Sequence, residues 1–261
     1  MSEATALLRL AEQMARTAGQ IQRARYETAL DIRTKTASID LVTEVDRACE
    51  AVIVETLRAQ RPDDAVLAEE GSGDDRPGAT WRWVIDPLDG TMNYAHGYPR
   101  FCVSIGVQRD GESALGVVYD PLLDECFEAV RGAGAWLGNR RLRVTRESEL
   151  GRALVATGFP YDVHRSSDDN LASFRNVLKA ARGIRRDGSA ALDLCYVAAG
   201  RLDGYWELKL HPWDVAAGFL ILEEAGGRLT DLRGGPPDRS GREVVASNGG
   251  IHGALLAALE L

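Results

Sequence analysis

The sequence has few cysteines and histidines, and neither type is spaced as a metal or redox site requires. Its four cysteines, Cys49, Cys102, Cys126 and Cys195, form no C-x-x-C pair, and its four histidines show no ligand spacing. This argues against zinc-binding and thioredoxin-type motifs. We interpret the cysteines as small buried hydrophobic residues. With no signal peptide ahead of the first amphipathic helix, we expect a reducing, cytoplasmic compartment.

Positive charge and long apolar runs are also scarce. The 261 residues include 31 Lys and Arg against 39 Asp and Glu, a formal net charge of -8. Phosphate backbones and anionic lipid surfaces repel such a protein, so we expect neither a nucleic-acid nor a membrane partner. No apolar run approaches the roughly 18 residues of a membrane span. A phosphorylated ligand would need a local cation, for which a bound metal ion is the simplest source.

The common nucleotide-binding and hydrolase motifs are absent as well. There is no G-x-x-x-x-G-K-[ST] and no G-x-S-x-G, and the glycine-rich turn at 132–134 lacks the strand-to-helix setting of a dinucleotide site. Chemistry must therefore be sought in other residue patterns.

The pattern of apolar residues changes near residue 150. Before it, two amphipathic helices flank a polar loop at 31–38 and precede strands at 66–69, 81–86, 101–108 and 114–119, which we predict to pair as an antiparallel sheet. After it, strands and helices alternate, which is typical of an α/β fold. We therefore expect an α+β half over 1–150 and an α/β half over 151–261.

The most informative segment is the octet V-I-D-P-L-D-G-T. An apolar strand runs into Asp86 and Asp89, while Pro87 and Gly90 fix a turn that brings side chains and main-chain groups to one place. These two aspartates and the Leu88 carbonyl are hard oxygen donors of the kind that magnesium prefers. Either aspartate alone is more typical of an Asp-Pro turn, but the whole octet favours a metal site.

The spacing of the two aspartates also bears on mechanism. Haloacid-dehalogenase-type phosphatases use two aspartates separated by one residue, the first being the nucleophile, whereas Asp86 and Asp89 are separated by two. This disfavours an aspartyl-phosphate mechanism, although the shared string D-G-T leaves that alternative open.

Three segments together resemble the signatures of the inositol monophosphatase family. D-P-L-D-G-T-M-N-Y at 86–94 resembles the first signature, A-E-E-G-S at 68–72 the paired-glutamate motif, and W-D-V-A-A-G at 213–218 the second signature. Lesser matches at 40–46 and 188–191 extend the resemblance over nearly the whole chain. It implies a layered αβαβα sandwich of the inositol monophosphatase and fructose-1,6-bisphosphatase type, and a homodimer.

Carried over position by position, the resemblance implies a site for two or three magnesium ions. Its ligands would be Glu69, Asp86, the Leu88 carbonyl, Asp89 and Asp214, an all-oxygen set that suits magnesium better than zinc. Taken alone, Glu69 is more typical of a solvated strand end, and Asp214 of an acid in the first turn of a helix.

The resemblance also implies catalytic roles. Thr91 and Asp46 match a pair that positions and deprotonates the attacking water, with Glu69 touching that water through a metal ion. Asp46 is also well placed as the capping partner of Thr43, and that reading needs no catalytic role. Lys35 matches a lysine behind the site, although a surface lysine fits the sequence equally well.

The remaining implied positions contact the substrate. They are Asp89, Gly90, Thr91, Gly188, Ser189, Ala190, Glu207 and Asp214. Glu207 suits a polyol because an ionised carboxylate accepts hydrogen bonds from hydroxyl groups, and its alternative is a solvated strand-end acid. The implied reaction is magnesium-dependent hydrolysis of a small phosphate monoester, above all myo-inositol 1-phosphate, by metal-activated water and without a phosphoenzyme. Inhibition by lithium is implied as well.

Several alternatives share the same metal-binding core. They are phosphatases of fructose 1,6-bisphosphate, histidinol phosphate and 3'-phosphoadenosine 5'-phosphate. The stretch N-Y-A-H-G-Y-P at 93–99 resembles the inositol monophosphatase continuation, although Met92 departs from the threonine common there. A binding or regulatory protein on the same scaffold is a further alternative, which the complete set of oxygen ligands disfavours.

Overall fold

The computed structural model describes residues 3–260. Its helices are α1 (Glu3–Arg25), α2 (Glu44–Gln60), α3 (Thr91–Ala95), α4 (Leu171–Ala180), α5 (Ala190–Ala198), α6 (Pro212–Glu224) and α7 (His252–Leu259). Its strands are β1 (Ile32–Thr34), β2 (Leu41–Thr43), β3 (Ala65–Ala68), β4 (Trp81–Asp89), β5 (Cys102–Arg109), β6 (Glu112–Asp120), β7 (Glu125–Val130), β8 (Gly134–Leu137), β9 (Arg140–Arg141), β10 (Leu154–Thr157), β11 (Gly183–Arg185), β12 (Gly204–Leu208), β13 (Arg228–Thr230) and β14 (Glu243–Ser247).

The larger sheet has the strand order β3-β4-β5-β6-β7-β8-β9. Strands β4, β5 and β6 pair antiparallel as predicted, and β7, β8 and β9 continue the antiparallel order. Strand β3 runs parallel to β4, so the prediction of a wholly antiparallel sheet was wrong. Residues 69–80 join these two strands. Adjacent parallel strands need a connection of about a dozen residues, because the chain must return to the end of the sheet where the first strand began.

The segment predicted as a polar loop at 31–38 also contains a strand. Within it, β1 pairs antiparallel with β2 in a two-stranded ribbon. All three residues of β1 are exposed, so the strand has no alternation of apolar and polar residues that would reveal it in the sequence.

The smaller sheet has the order β11-β10-β12-β14-β13. Strands β11, β10 and β12 are parallel, and β14 is antiparallel to both of its neighbours. The α/β character expected after residue 150 is confirmed. The short edge strand β11 was not predicted from the sequence.

Three apolar clusters lie between the layers. The first joins α1 and α2 to one face of the larger sheet, the second packs α5 and α6 between the two sheets, and the third joins α4 and α7 to the outer face of the smaller sheet. This confirms the αβαβα sandwich. The second cluster includes Val118 and Leu194, which lie on opposite sides of residue 150. A division into two domains at that point stays a prediction.

The four cysteines are free and buried, as expected of small hydrophobic residues. Within residues 3–260, no helix has both the length and the apolar content to span a membrane.

Candidate active site

The octet forms the end of β4 and the turn that follows it. The register of β4 against β5 shifts between Asp86 and Asp89, an irregularity of the kind that re-aims side chains beside active sites. The N–H of Leu88 donates to Asp86 Oδ1 at 3.0 Å. Gly90 follows with φ of 96°, and a Cβ there would lie 2.8 Å from the carbonyl oxygen of Arg100. Only glycine fits this turn, which leads directly into α3.

Three carboxylates converge from two elements that are far apart in sequence. One carboxylate oxygen from each of Asp86, Asp89 and Asp214 lies within 4.8 Å of the other two. Asp86 and Asp89 come from the β4 turn, whereas Asp214 stands in the first turn of α6. The three aspartates that the resemblance assigned to one site therefore meet in space.

Main-chain N–H groups anchor these carboxylates. Asp89 Oδ2 accepts hydrogen bonds from the Ser189 hydroxyl at 2.6 Å and from the N–H of Ala191 at 2.8 Å, at the start of α5. Asp214 Oδ2 accepts from the N–H of His211 at 2.6 Å in the capping box of α6. Because a carboxylate has two oxygens, an anchored aspartate still offers one to a cation.

The three carboxylates repel one another when they are ionised. Burial raises the pKa of Asp86 and of Asp214 well above its usual value, and the neighbouring carboxylates raise both further. Burial also raises the pKa of Asp89, against the hydrogen bonds that it accepts. Among residues 3–260, no lysine, arginine or histidine forms an ion pair with any of the three. A hard divalent cation fits this all-oxygen set, because it would offset the repulsion.

Glu69 adjoins the cluster and is itself paired. Lys35 Nζ lies 2.8 Å from Glu69 Oε1 and also contacts the Glu70 carboxylate, so Lys35 is not an unpaired surface lysine. Burial favours its neutral form, but the two carboxylates outweigh this and raise the pKa of Lys35. Glu50, on α2, accepts a hydrogen bond from the Glu70 N–H at 2.7 Å and so holds the turn after β3, which carries Glu69 and Glu70, in place. Its position on the buried face of α2, beside Cys49, was an available signal that the sequence reasoning missed.

Thr91 and Asp46 meet as the resemblance implied. The Thr91 hydroxyl oxygen lies 2.8 Å from Asp46 Oδ1 and 3.1 Å from the Leu88 carbonyl oxygen. Asp46 Oδ2 accepts hydrogen bonds from the hydroxyl of Thr43 at 2.6 Å and from its N–H at 2.9 Å. Asp46 is therefore both the capping partner of Thr43 and the neighbour of Thr91. If Thr91 donates its only hydroxyl hydrogen to Asp46, its oxygen remains free to accept one from water.

The expected substrate positions surround one cavity of about 80 Å³. Its walls include Asp89, Gly90, Thr91, Gly188, Ala190, Glu207 and Asp214. Ser189 is buried behind the wall, where it bonds Asp89. A larger cavity of about 620 Å³ shares the walls Glu69, Tyr161 and Trp213 but contains none of the three clustered aspartates. We therefore place the chemistry in the smaller cavity.

Glu207 is part of the cavity wall, so the solvated strand-end alternative does not describe it. The Tyr205 hydroxyl donates to Glu207 Oε2. Burial raises the pKa of Glu207 to about 7, and this hydrogen bond acts in the opposite direction. An acceptor of hydroxyl hydrogens thus lies on the wall of the same cavity as Asp89 and Asp214.

Asn93 was quoted within the motif but given no role. Its Nδ2 donates to the carbonyl oxygens of Arg100 and Asp187, each at 2.7 Å. These bonds tie the turn after Gly90 to the segment before α5, and so fix two walls of the cavity relative to each other.

Known proteins resemble this sequence over most of its length. The model of the family described as "Inositol monophosphatase family" matches residues 3–260. The inositol-1-monophosphatase of Synechocystis sp. is 45% identical over 228 residues, which cover 87% of this chain and 79% of that protein. The Nus factor SuhB of Pasteurella multocida is 43% identical over 242 residues, covering 92% and 91%.

Solved structures agree with this. The inositol monophosphatase from Anabaena (Nostoc) sp. has a TM-score of 0.89 and 41% identity, covering 99% of this chain and 96% of that chain. The extragenic suppressor protein suhB from Bartonella henselae has a TM-score of 0.91 and 39% identity, covering 98% of each. The chain therefore belongs to the inositol monophosphatase family and is a phosphoric monoester hydrolase.

Proposed function

We propose that the chain hydrolyses myo-inositol 1-phosphate to inositol and phosphate in a magnesium-dependent reaction. The observation that carries the proposal is the cluster formed by Asp86, Asp89 and Asp214 near the Thr91–Asp46 hydrogen bond. Asp89, Thr91 and Asp214 lie on the wall of one cavity. The ions would be held by these aspartates together with Glu69 and the Leu88 carbonyl. When bound, magnesium supplies an acidified water and stabilises charge on the transferring phosphoryl group.

The chain's own residues would prepare the attack. Asp46 accepts the Thr91 hydroxyl hydrogen, so the Thr91 oxygen can accept a hydrogen bond from the attacking water and aim it at phosphorus. As the water attacks, its proton would pass to Thr91 while the Thr91 proton passes to the Asp46 carboxylate. Lys35 holds Glu69 in position. The main-chain N–H groups of Gly90 and Thr91 would donate to the phosphate, which the missing side chain at Gly90 allows to approach closely.

The alcohol part of the substrate would lie between α5 and β12. Gly188 and Ala190 would bound the ring on one side, with Ser189 behind them holding Asp89, and Glu207 would accept a hydrogen bond from a ring hydroxyl on the other. A reducing, cytoplasmic location, a homodimer and inhibition by lithium complete the proposal. The four free cysteines support the first of these.

Kinetics on a panel of substrates would test this choice. The panel contains inositol 1-phosphate, fructose 1,6-bisphosphate, histidinol phosphate and 3'-phosphoadenosine 5'-phosphate, each assayed with magnesium. We expect the highest kcat/KM for inositol 1-phosphate. A higher value for any of the other three would replace inositol 1-phosphate as the substrate while leaving the phosphatase assignment intact.

A second candidate role is suggested by the relatives named Nus factor SuhB, one of which is 43% identical over 242 residues. A Nus-factor role does not conflict with an intact metal site. Complementation with the double variant Asp86→Asn with Asp214→Asn, which we expect to be inactive because it loses two of the three clustered carboxylates, separates the two roles. The host is a strain whose own Nus factor SuhB has been deleted. If this variant restores growth of that strain, the role does not need catalysis. If the wild-type chain restores growth and the variant does not, the role needs catalysis.

A further inference from the structure

Arg186 lies at the edge of the catalytic cavity and was given no role by the sequence. It follows β11 directly and leads into the segment that begins α5. Its Nη1 lies 2.7 Å from the point where a Cβ on Gly188 would stand, so the guanidinium extends across Gly188. Arg186 and Glu207 are both walls of this cavity.

The guanidinium of Arg186 is available for a ligand. Among the described residues, 3–260, it makes no hydrogen bond or ion pair with another side chain. The other cation on this wall, Lys209, is held by Asp162 at 2.9 Å and by the Ser166 hydroxyl at 2.9 Å. Arginine has five N–H donors and no acceptor. Arg186 is thus the cavity cation whose donors are free.

Its charge acts on Glu207. Burial raises the pKa of Glu207, whereas the positive charge of Arg186 lowers it and so favours the ionised form. Together the two side chains present donors and acceptors with a net charge near zero. A hydroxyl group both donates and accepts, so it matches such a pair, whereas a second phosphate would be repelled by Glu207.

We infer that Arg186 is a specificity-determining residue, whose guanidinium donates hydrogen bonds to the hydroxyl groups of an uncharged polyol ring while Glu207 accepts from them. The inference rests on the proposed function and narrows it, because it selects polyol monophosphates over substrates with a second anionic group near this wall.

The test compares Arg186→Gln with Arg185→Gln. Arg185 is the neighbouring arginine on β11, is exposed and does not line the cavity. The substrates are inositol 1-phosphate, glycerol 2-phosphate, which offers fewer hydroxyls, and fructose 1,6-bisphosphate, which carries a second phosphate. For Arg186→Gln we expect kcat/KM on inositol 1-phosphate to fall roughly 10- to 100-fold, mainly through KM, as the loss of a charged hydrogen-bond donor implies.

Glycerol 2-phosphate should lose much less, the magnesium requirement should stay the same, and Arg185→Gln should match the wild-type protein. In Arg186→Lys, which keeps the charge but loses the planar fork, activity should recover only in part. Equal losses on inositol 1-phosphate and glycerol 2-phosphate, no loss at all, or the greatest loss on fructose 1,6-bisphosphate would each overturn the assignment of Arg186. A wild-type protein that leaves inositol 1-phosphate intact would instead contradict the proposed function, and this inference with it.

Discussion

Thr91 has one hydroxyl hydrogen and two acceptors within reach, Asp46 at 2.8 Å and the Leu88 carbonyl at 3.1 Å. The shorter contact and the charge of Asp46 favour donation to the carboxylate. In Thr91→Ala we expect kcat to fall by roughly two to four orders of magnitude, the scale of general-base positioning, with the magnesium requirement nearly unchanged. Steady-state kinetics at varied magnesium measure both quantities.

Thr91→Ser is the matched control, because it keeps the hydroxyl and should keep most of the activity. If Thr91→Ala turned over substrate as fast as the wild-type protein, Thr91 would have no part in activating water.

Glu207 predicts a pH dependence. Burial raises its pKa to about 7, opposed by the hydrogen bond from Tyr205 and the charge of Arg186, while the charge of Asp89 raises it further. The carboxylate accepts ring hydroxyls when ionised, so recognition is present above about pH 7 and is lost as the pH falls through that value. We expect kcat/KM for inositol 1-phosphate to show an acid limb near pH 7 that is absent in Glu207→Gln.

Glycerol 2-phosphate serves as the control substrate for this profile, since it depends less on ring recognition. Identical pH profiles for the wild-type protein and Glu207→Gln on inositol 1-phosphate would show that the limb belongs to another group.

Some site residues could be identified from the sequence, and others could not. Asp86 and Asp89 stand three positions apart in a turn that restricts their direction, so their cooperation is a local property. Asp214 joins them from 125 positions later in the chain, and only family resemblance linked it to the octet. Arg186 lies outside the signatures. Its place on the cavity wall depends on how β11, a strand that the sequence did not reveal, leads into α5.

At the scale of elements, the start of α2 serves both the fold and the site. Thr43 caps the helix, accepting from the Val45 N–H at 3.1 Å, and also donates to Asp46, which in turn accepts from Thr91. Thr43→Ala should cost about 0.5–2 kcal/mol of stability, the usual value of a lost N-cap. It should also lower kcat, because Asp46 loses a partner. Chemical denaturation and initial rates measure the two effects.

Thr56 offers a control within the same helix. Its hydroxyl donates to the Val52 carbonyl one turn earlier, at 2.7 Å, far from the Thr91–Asp46 pair in the hydrogen-bond network, so Thr56→Ala should leave kcat unchanged. A Thr43→Ala variant that lost stability but kept full kcat would separate the cap from the catalytic pair and contradict the link between them.

Local signals predicted the elements better than their pairing. The Thr43 and Asp46 pair predicted the start of α2, and the apolar runs at 101–108 and 114–119 predicted β5 and β6. The direction of β3 depends on the path of the 69–80 connection, which no short motif encodes. The exposed strand β1 has no apolar face, so its pairing with β2 could not be read from periodicity.

At the scale of the whole molecule, the distance between layers sets the position of Asp214. Helix α6 packs closely on the larger sheet: a Cβ added to Gly116 would lie only 2.9 Å from Ala217 Cα. Gly116→Ala would therefore push away the helix that carries Asp214. We expect a loss of about 1–3 kcal/mol of stability, typical of overpacking, together with a higher magnesium requirement.

Gly253→Ala is the matched control, since within residues 3–260 no atom of another element lies within 4 Å of the added methyl group and Gly253 lies in α7. It should raise stability by about 0.5–1 kcal/mol and leave the magnesium requirement unchanged. Wild-type stability and kinetics in Gly116→Ala would mean that α6 is not held by this contact. The close packing also explains why composition and periodicity alone did not predict the sandwich: the layer order depends on contacts between distant segments.

We propose above all that the cluster of three carboxylates from Asp86, Asp89 and Asp214 makes the chain a magnesium-dependent phosphatase of inositol 1-phosphate. The most direct measurement is phosphate release from inositol 1-phosphate before chelation, after exhaustive chelation, and after magnesium is restored. It is made on the wild-type chain, on Asp214→Asn and on Asp231→Asn. Asp231 is the control because it lies outside the cluster while its carboxylate also accepts main-chain N–H groups.

We expect chelation to abolish wild-type activity and magnesium to restore it. Asp214→Asn should need more magnesium and turn over more slowly, and Asp231→Asn should behave like the wild-type chain. Full activity of the chelated wild-type protein, or wild-type magnesium dependence and turnover in Asp214→Asn, would contradict the proposal.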